Sequence, residues 1–298
     1  MKNSISLHGI IVPLVTPFDD RDRIDYEGVR QVVDFVISKG VHGVMVCGTI
    51  GEGMLLSLDE RKALLEAVIS RVKRKIPIVA HTGCIDTKST VELTKHASDV
   101  GADFVSVIVP YFYTLNDNQI FNHFLATAES APDTPLLIYT FPGNAKNDIS
   151  PALLERLRKA APNIVGVKCS NNDMVRFQDY IRIGGEGFIP CFGVDELMLG
   201  SLAFGSHGQV SGNANSFPEP FIQLYEAFEA GNIKLAQQLQ QVVNAISRIH
   251  HAFTTPAYFK ATLQLRGINA GRVRQPMREL TSEELEEVKK EVKRHKLI

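Results

Sequence analysis

Several common signatures of function are missing from this chain, and each absence excludes a class of protein. The four cysteines, Cys47, Cys84, Cys169 and Cys191, include no CxxC pair, so neither a disulfide framework nor a zinc site is expected. No run of about 18 apolar residues occurs, so no membrane span is expected. Lysine and arginine (32) balance aspartate and glutamate (33), which leaves no basic excess for nucleic acid. The sequence therefore predicts a cytoplasmic protein that binds neither nucleic acid nor membrane.

The motifs of several cofactor-binding classes are also absent. No GxGxxG follows the first predicted strand, and no GK[ST] is present, which argues against dinucleotide and P-loop sites. No HExxH or clustered histidine and cysteine spacing indicates a metal. The first 18 residues, MKNSISLHGIIVPLVTPF, contain one apolar run that Pro13 interrupts, so no signal peptide is expected.

Short apolar runs alternate with segments of helical periodicity through most of the chain. The runs are GIIVPLVTPF (9–18), VHGVMVCGT (41–49), IPIVAHTG (76–83), ADFVSVIVP (102–110), TPLLIYTFP (134–142), NIVGVKCS (163–170), FIPCFGV (188–194) and HGQVSGN (207–213). Eight strands, each followed by a helix, predict parallel pairing with right-handed crossovers. The simplest closure is a (β/α)₈ TIM barrel, an α/β fold; a doubly wound open sheet is the alternative.

Beyond about residue 217 the pattern becomes entirely helical. The four helix candidates are FPEPFIQLYEAFEAG, NIKLAQQLQQVVNAISRIHHAF, TPAYFKATLQLRG and TSEELEEVKKEVKRH. No Ser/Gly-rich linker precedes them, which predicts packing on the barrel. We therefore divide the chain into a catalytic barrel (residues 1–231) and a C-terminal helical extension (residues 232–298).

The lysine of NIVGVKCS is the main candidate for chemistry. Lys168 follows a short buried strand, where an ammonium costs several kcal/mol unless it is paired or loses its proton. Active sites of TIM barrels lie at the carboxyl ends of the strands, and Tyr139 ends the preceding strand, so the two should be close. A desolvated amine is a nucleophile, and a phenol can transfer protons. The alternatives are a buried ion pair for Lys168 and simple packing for Tyr139.

A second informative stretch is VCGTIGEGMLLS (46–57), in which a strand ends and a glycine-rich turn opens toward a helix. Glycines such as Gly48 leave backbone N–H groups free to approach an anion, and a carboxylate is a plausible guest. An ordinary tight turn between strand and helix is the alternative.

The ordered set of motifs resembles the dihydrodipicolinate synthase/N-acetylneuraminate lyase family of pyruvate-dependent class I aldolases. The set is GIIVPLVTPF, GTIGEG, PYFYT, LIYTFP, GVKCS, and FGVDE followed by GSHGQVSGNAN, and the resemblance runs from about Gly9 to at least Pro220. The resemblance implies a TIM barrel that binds a small-molecule 2-keto acid, pyruvate, and assembles as a homotetramer, a dimer of dimers. It also implies no metal or organic cofactor, because the iminium is the electron sink.

The resemblance assigns roles to individual residues. Lys168 is the Schiff-base lysine, which attacks the keto carbon of pyruvate or another 2-keto acid. Tyr139 protonates the carbinolamine and moves the aldol proton, and Thr49 supplies a hydroxyl to this relay. The backbone amides of Thr49 and Ile50 hold the pyruvate carboxylate, while the carbonyl of Val210 closes the pocket floor.

Three positions depart from the family pattern, two of them from the synthases that make the lysine precursor. Asn144 stands where those enzymes carry an arginine, so the bidentate grip on a second carboxylate is missing. Phe112 stands where a second tyrosine completes a relay across a subunit interface, and Tyr111 or Tyr113 is a candidate replacement. Ile50 replaces the second threonine of the usual GTTGE and can still donate its backbone N–H.

Other positions resemble enzymes that act on sugar acids. Gly193 and Asp195 belong to a GVDE stretch like the G-x-D-E of sialic-acid lyases, whose acids bind sugar hydroxyls. Asp195 also matches an acid of 2-keto-3-deoxygluconate aldolases, to which LIYTFP and PYFY look closest. Ser170 stands where lyases have a hydroxyl near the C4 oxygen of the substrate. An ordinary helix N-cap is the alternative for Asp195.

We therefore expect a Schiff-base (class I) aldolase or lyase that cleaves a 2-keto-3-deoxy sugar acid to pyruvate and an aldehyde. The alternative within the family is 4-hydroxy-tetrahydrodipicolinate (dihydrodipicolinate) synthase, which condenses pyruvate with aspartate semialdehyde. An alternative from another class is a catalytically silent, ligand-sensing barrel, which the phenylalanine at position 112 favours.

Overall fold

The structure, a computed structural model, describes residues 6–253 and 255–298. Within these residues the strands are β1 (Gly9–Pro13), β2 (Gly43–Val46), β3 (Ile78–His81), β4 (Phe104–Ile108), β5 (Leu136–Thr140), β6 (Ile164–Cys169), β7 (Ile189–Phe192) and β8 (Gly208–Val210). The helices are α1 (Tyr26–Ser38), α2 (Leu58–Val72), α3 (Thr87–Asp99), α4 (Asp117–Glu129), α5 (Pro142–Ala145), α6 (Pro151–Ala160), α7 (Met174–Gly184), α8 (Met198–Ala203), α9 (Pro218–Glu229), α10 (Ile233–His251), α11 (Ala257–Leu265) and α12 (Ser282–Arg294). The signal-peptide prediction falls partly on residues 1–5, which lie outside the described residues.

The strands close into a parallel barrel in the order β1 to β8. This confirms the predicted TIM barrel and excludes the doubly wound open sheet, which would have two edges. Each predicted run contains one strand, shorter than the run because the flanking residues lie in loops. All residues of β1 to β5 and of β8 are buried, as expected for strands that are covered on both faces.

The chain divides into two compact units. The first unit comprises residues 6–8 and Pro77–Val210 and contains β3 to β8. The second comprises Gly9–Ile76 and Ser211–Ile298 and contains β1, β2 and α9 to α12. These last four helices confirm the helical pattern predicted after residue 217. The division that we predict between residues 231 and 232 stays a prediction.

None of the helices in residues 6–253 and 255–298 has the length and apolar character that crossing a bilayer requires.

A bulge in β6 sets its register against β5. Leu136 pairs with Ile164, but the next residue of β5, Leu137, pairs with Gly166. Val165 is thus an extra residue on β6, and such a bulge exchanges the two faces of the strand beyond it. The bulge therefore decides which face of the sheet the end of β6 presents.

Beyond the bulge, the strand register places the side chains of Tyr139, Lys168 and Cys191 on one face of the sheet. Tyr139 pairs with Lys168, and Lys168 pairs with Cys191. The next residue of β7, Phe192, points to the opposite face, where its ring lies 4.8 Å from that of Phe177 in α7. Since helices cover that opposite face, Lys168 points into the barrel interior.

Strands β6 and β7 approach each other closely at Gly166. A Cβ atom at this position would lie 2.3 Å from the carbonyl oxygen of Ile189 and 2.5 Å from Cδ2 of Leu137. Both distances are far below van der Waals contact, so a larger residue would force the strands apart two positions before Lys168.

We expect Gly166→Ala to lower the free energy of unfolding by about 1–3 kcal/mol, the usual cost of overpacking a tight core. Gly200→Ala is the matched control, because its Cβ would meet open space in α8 and alanine favours a helix over glycine. Urea denaturation of both variants measures the difference. A Gly166→Ala protein as stable as the unmodified one would show that β6 and β7 separate without cost.

Candidate functional site

Lys168 is buried in the first compact unit, with 6% of its surface exposed. Its Nζ lies 3.7 Å from the centroid of the Tyr139 ring, a distance at which an ammonium is attracted by the aromatic face. In the part of the chain that the structure describes, no Asp or Glu side chain pairs with this amine. The structure therefore does not contain the buried ion pair that was the structural alternative for Lys168.

Tyr139 is 2% exposed and is surrounded by rings. Phe141 stacks on it at 6.2 Å and 24°, and His81 meets it edge-on at 5.9 Å and 85°. Tyr139 thus packs in the core and also contacts the candidate nucleophile, so packing alone does not describe it. His81 is not among the predicted site residues, although it is the last residue of β3, at the end of the strand where barrel chemistry is expected.

The cysteine that pairs with Lys168 in the sheet, Cys191, has a neutral thiol at pH 7. Burial raises the pKa of Cys191 to about 12, although the positive charge of Lys168 acts in the opposite direction. Burial likewise raises the pKa of Cys169 to about 12 and that of Cys47 to about 11. A neutral thiol at pH 7 leaves Lys168 without an anionic partner on β7.

Asn147 ties the loop after β4 to the segment after β5. Its Nδ2 donates to the carbonyl oxygens of Pro110 and Tyr113, each at 2.7 Å, and its Oδ1 accepts from the amide of Leu115 at 2.9 Å. The clamped loop contains Phe112, which has a left-handed backbone (φ 77°) and a 68% exposed side chain. The loop that departs from the synthases is therefore held in one conformation by a residue that the sequence analysis did not single out.

Asn144 is exposed on α5, the short helix that follows the strand of Tyr139. Just before this helix the hydroxyl of Thr140 donates to Asp148, whose other oxygen lies 3.2 Å from Nη1 of Arg176. These bonds fix the two ends of the segment that contains Asn144, while the amide itself faces solvent.

Ser170 and Gly193 meet where β6 and β7 end. The amide of Gly193 donates to the carbonyl of Cys169 at 2.8 Å, and a Cβ at Gly193 would lie 2.3 Å from Oγ of Ser170. Val210, the last residue of β8, is buried in the same unit. The structure thus brings Ser170 and Gly193 together.

Asp195 lies in a different environment from the predicted one. It is the first residue of a 3-10 turn whose N-cap is Val194, so it is not the helix N-cap proposed as the alternative. Its Oδ1 accepts from Nε2 of Gln209 at 2.8 Å, and Gln209 pairs with Phe192, on the face opposite Lys168. One carboxylate oxygen of Asp195 is therefore engaged by the helix-covered side of the sheet, and its contact with a substrate stays a prediction.

The glycine-rich turn belongs to the second compact unit and connects β2 to a 3-10 turn at Gly53–Leu55. Two backbone hydrogen bonds close it: Glu52 N–H donates to the carbonyl of Thr49 at 3.1 Å, and Gly53 N–H donates to that of Gly48 at 3.0 Å. Between them Thr49 is exposed and Ile50 is half-buried.

The backbone of this turn is strained. Cys47 (φ 61°) and Glu52 (φ 55°) both have left-handed conformations, which cost about 1–3 kcal/mol each in residues with a side chain. A Cβ at Gly53 would lie 1.9 Å from the carbonyl oxygen of Cys47, so only glycine fits there. Strain of this kind persists where the surroundings hold it, and it is concentrated at functional sites.

The comparison with protein families decides which family these features belong to. The chain matches the Dihydrodipicolinate synthetase family over residues 6–295. The chain belongs to this family. Its members are pyruvate-dependent lyases, which confirms the family and the enzyme class inferred from the motifs.

Three relatives illustrate the range of the dihydrodipicolinate synthetase family. The 4-hydroxy-tetrahydrodipicolinate synthase of Methanopyrus kandleri is 34% identical and aligns over 97% of this chain and 96% of its own. A catalytic lysine mutant of the Ruminococcus gnavus sialic acid aldolase is 30% identical, with a TM-score of 0.92 and coverage of 97% of this chain and 95% of its own. A family member from Escherichia coli K12, solved in complex with pyruvate, is 28% identical, with a TM-score of 0.94 and coverage of 98% and 99%.

Proposed function

We propose that the protein is a Schiff-base aldolase in which Lys168 is the nucleophile. The observation that carries this proposal is the buried Lys168 amine, 3.7 Å from the Tyr139 ring centroid and without a carboxylate partner among the described residues. The similar aldolase of R. gnavus has a catalytic lysine, and the E. coli relative binds pyruvate, which supports the same chemistry here.

The proposed reaction needs only groups that the chain supplies. The Lys168 amine adds to the keto carbon, the resulting carbinolamine loses water, and an iminium forms. Loss of the proton from the C4 hydroxyl then breaks the C3–C4 bond, and the bonding electrons move into the iminium to give an enamine and an aldehyde. Protonation of C3 and hydrolysis of the imine release pyruvate and restore the amine. Condensation is the same sequence in reverse.

The remaining roles are those that the family resemblance implies. Tyr139 is the proton carrier, a role that its contact with the Lys168 amine supports. Thr49 supplies a hydroxyl to the relay, and the amides of Thr49 and Ile50 bind the substrate carboxylate. The carbonyl of Val210 closes the floor of the pocket.

We expect Tyr139→Phe to slow turnover by roughly 10²–10⁴-fold, the usual effect of losing a general acid–base group. Tyr180→Phe is the matched control, since Tyr180 is a buried tyrosine of the same unit whose hydroxyl donates to the carbonyl of Ile149 and has no part in the proposed chemistry. Steady-state assays of pyruvate release compare the two variants. Near-normal turnover in Tyr139→Phe would remove Tyr139 from the mechanism.

Two candidates remain for the second substrate, and different observations favour them. The names of the curated relatives, such as the synthase of M. kandleri, favour condensation of pyruvate with aspartate semialdehyde. The exposed amide of Asn144 favours a neutral sugar acid, because no guanidinium stands there to grip a second carboxylate. The adjacent Ser170 and Gly193 and the family role of Asp195 point to the same class, a 2-keto-3-deoxy sugar acid.

Coupled assays separate the two candidates. We expect pyruvate release from 2-keto-3-deoxygluconate, and we expect Asn144→Arg to impair this reaction more than it impairs pyruvate binding. Asn144→Lys is the control, since a lysine adds the charge without the bidentate geometry. Condensation with aspartate semialdehyde and no cleavage of the sugar acid would establish the synthase. Equal effects of Asn144→Arg on both substrates would show that residue 144 does not face the distal substrate.

A cytoplasmic location and a homotetramer built as a dimer of dimers are part of the same proposal. The exposed rings of Phe112 (68%) and Tyr113 (65%), 5.0 Å apart, support a subunit contact at the loop after β4.

A further inference from the structure

A buried ion pair lies beneath the glycine-rich turn of the second compact unit. The side chains of Glu52 and Lys260 are each 1% exposed, and Oε1 of Glu52 lies 2.6 Å from Nζ of Lys260. Burial raises the pKa of Glu52 and lowers that of Lys260, while the attraction between the two charges opposes both changes. Removing one partner of such a buried pair destabilises the fold, because the other charge is left buried without a counter-charge.

The other contacts of Lys260 complete the coordination of an ammonium. Its Nζ donates to the carbonyl oxygen of Thr16 at 2.6 Å and to that of Arg272. The amine also lies 4.6 Å from the centroid of the Phe18 ring. Two carbonyls accept hydrogen bonds from the amine and the Glu52 carboxylate balances its charge, which accounts for a charged lysine at a site with 1% exposure.

Two residues that contact Lys260, Thr16 and Glu52, also have hydrogen bonds that fix the turn at Gly51 and Glu52. The hydroxyl of Thr16 donates to the carbonyl of Gly51 at 2.6 Å, and the second oxygen of Glu52 accepts from the amide of Arg274 at 2.8 Å. Lys260 in α11 thus contacts Glu52 of the turn directly, and it contacts Gly51 of the turn through Thr16. The ion pair fixes the strained, left-handed backbone of Glu52, three residues after Thr49.

We propose that Glu52 and Lys260 are positioning residues that hold the backbone amides of Thr49 and Ile50 in the geometry that binds the substrate carboxylate. This inference rests on the proposed function, in which those amides bind the carboxylate. Neither side chain needs to touch the substrate. Because Glu52 closes the turn through its own N–H on Thr49, loss of the pair lets the turn relax, and small displacements of binding groups are costly.

The test is borohydride trapping on Lys168 at increasing concentrations of two ketones, pyruvate and pyruvamide. Pyruvamide keeps the keto group and replaces the carboxylate by a neutral amide. We expect Glu52→Gln to raise the half-saturating concentration of pyruvate by about 10- to 100-fold. The value for pyruvamide should change by less than about threefold, since the Schiff-base lysine itself is untouched. Equal changes for both ketones, or no change for pyruvate, would overturn the inference.

Two further variants separate positioning from stability. The double variant Glu52→Gln/Lys260→Met removes both charges, so no unpaired ion remains in the core, and it should be closer to normal stability while keeping the selective loss for pyruvate. Glu219→Gln removes a carboxylate of the same unit that pairs with Arg266 and Lys39 rather than with the turn, so it should leave both trapping curves unchanged. If the double variant traps pyruvate with the normal concentration dependence, the Glu52–Lys260 pair contributes to stability only and does not position the turn.

Trapping of the unmodified protein with pyruvate distinguishes failure of the Schiff-base function from failure of the positioning role of Glu52 and Lys260. If it gives no adduct on Lys168 with pyruvate, the proposed function fails and the positioning role fails with it. If it gives the adduct and Glu52→Gln traps pyruvate with unchanged concentration dependence, the positioning role alone fails.

Discussion

The register between β5 and β6 is the constraint on which the candidate chemistry depends. Parallel pairing places Tyr139 directly beside Lys168, and the bulge at Val165 puts the Lys168 side chain on the same face of the sheet as Tyr139, toward the barrel interior. The amine then lies against the aromatic face and has no carboxylate partner among the described residues. A register shift of one residue would send Lys168 to the helix-covered face, where its charge would have to be buried among apolar side chains.

Much of this arrangement follows from local sequence. Short β-branched runs bounded by turn residues predict all eight strands, because the hydrophobic pattern of a buried strand is local. The rule that barrel chemistry lies at the carboxyl ends of strands then selects Lys168 and Tyr139 as neighbours, and their register confirms it. The bulge is different. Simple alternation along Ile164, Gly166 and Lys168 would place all three on one face, and only the pairing with β5 shows that Ile164 faces the other way.

The anchors of the site could not be predicted from local pattern. Glu52 and Lys260 are far apart in the sequence, and each alone is typical of a solvated surface residue. Asn147 has the sequence signature of a loop residue, yet its three hydrogen bonds to the loop after β4 exist only once the strands have closed. Asp195 shows the reverse problem: a motif suggests a substrate contact, but Gln209 engages one of its oxygens on the helix-covered face. Buried polar pairs depend on the tertiary fold.

The most direct test of the central claim is borohydride reduction of the protein in the presence of pyruvate, followed by intact mass and peptide mapping. Two lysines are buried among the residues that the structure describes, Lys168 and Lys260, and their proposed roles differ, so the position of the adduct is informative. We expect one reduced pyruvate adduct, on Lys168 and not on Lys260, and none in Lys168→Ala. An unmodified protein would contradict the Schiff-base mechanism, and an adduct on another lysine would contradict the assignment of Lys168 as the nucleophile.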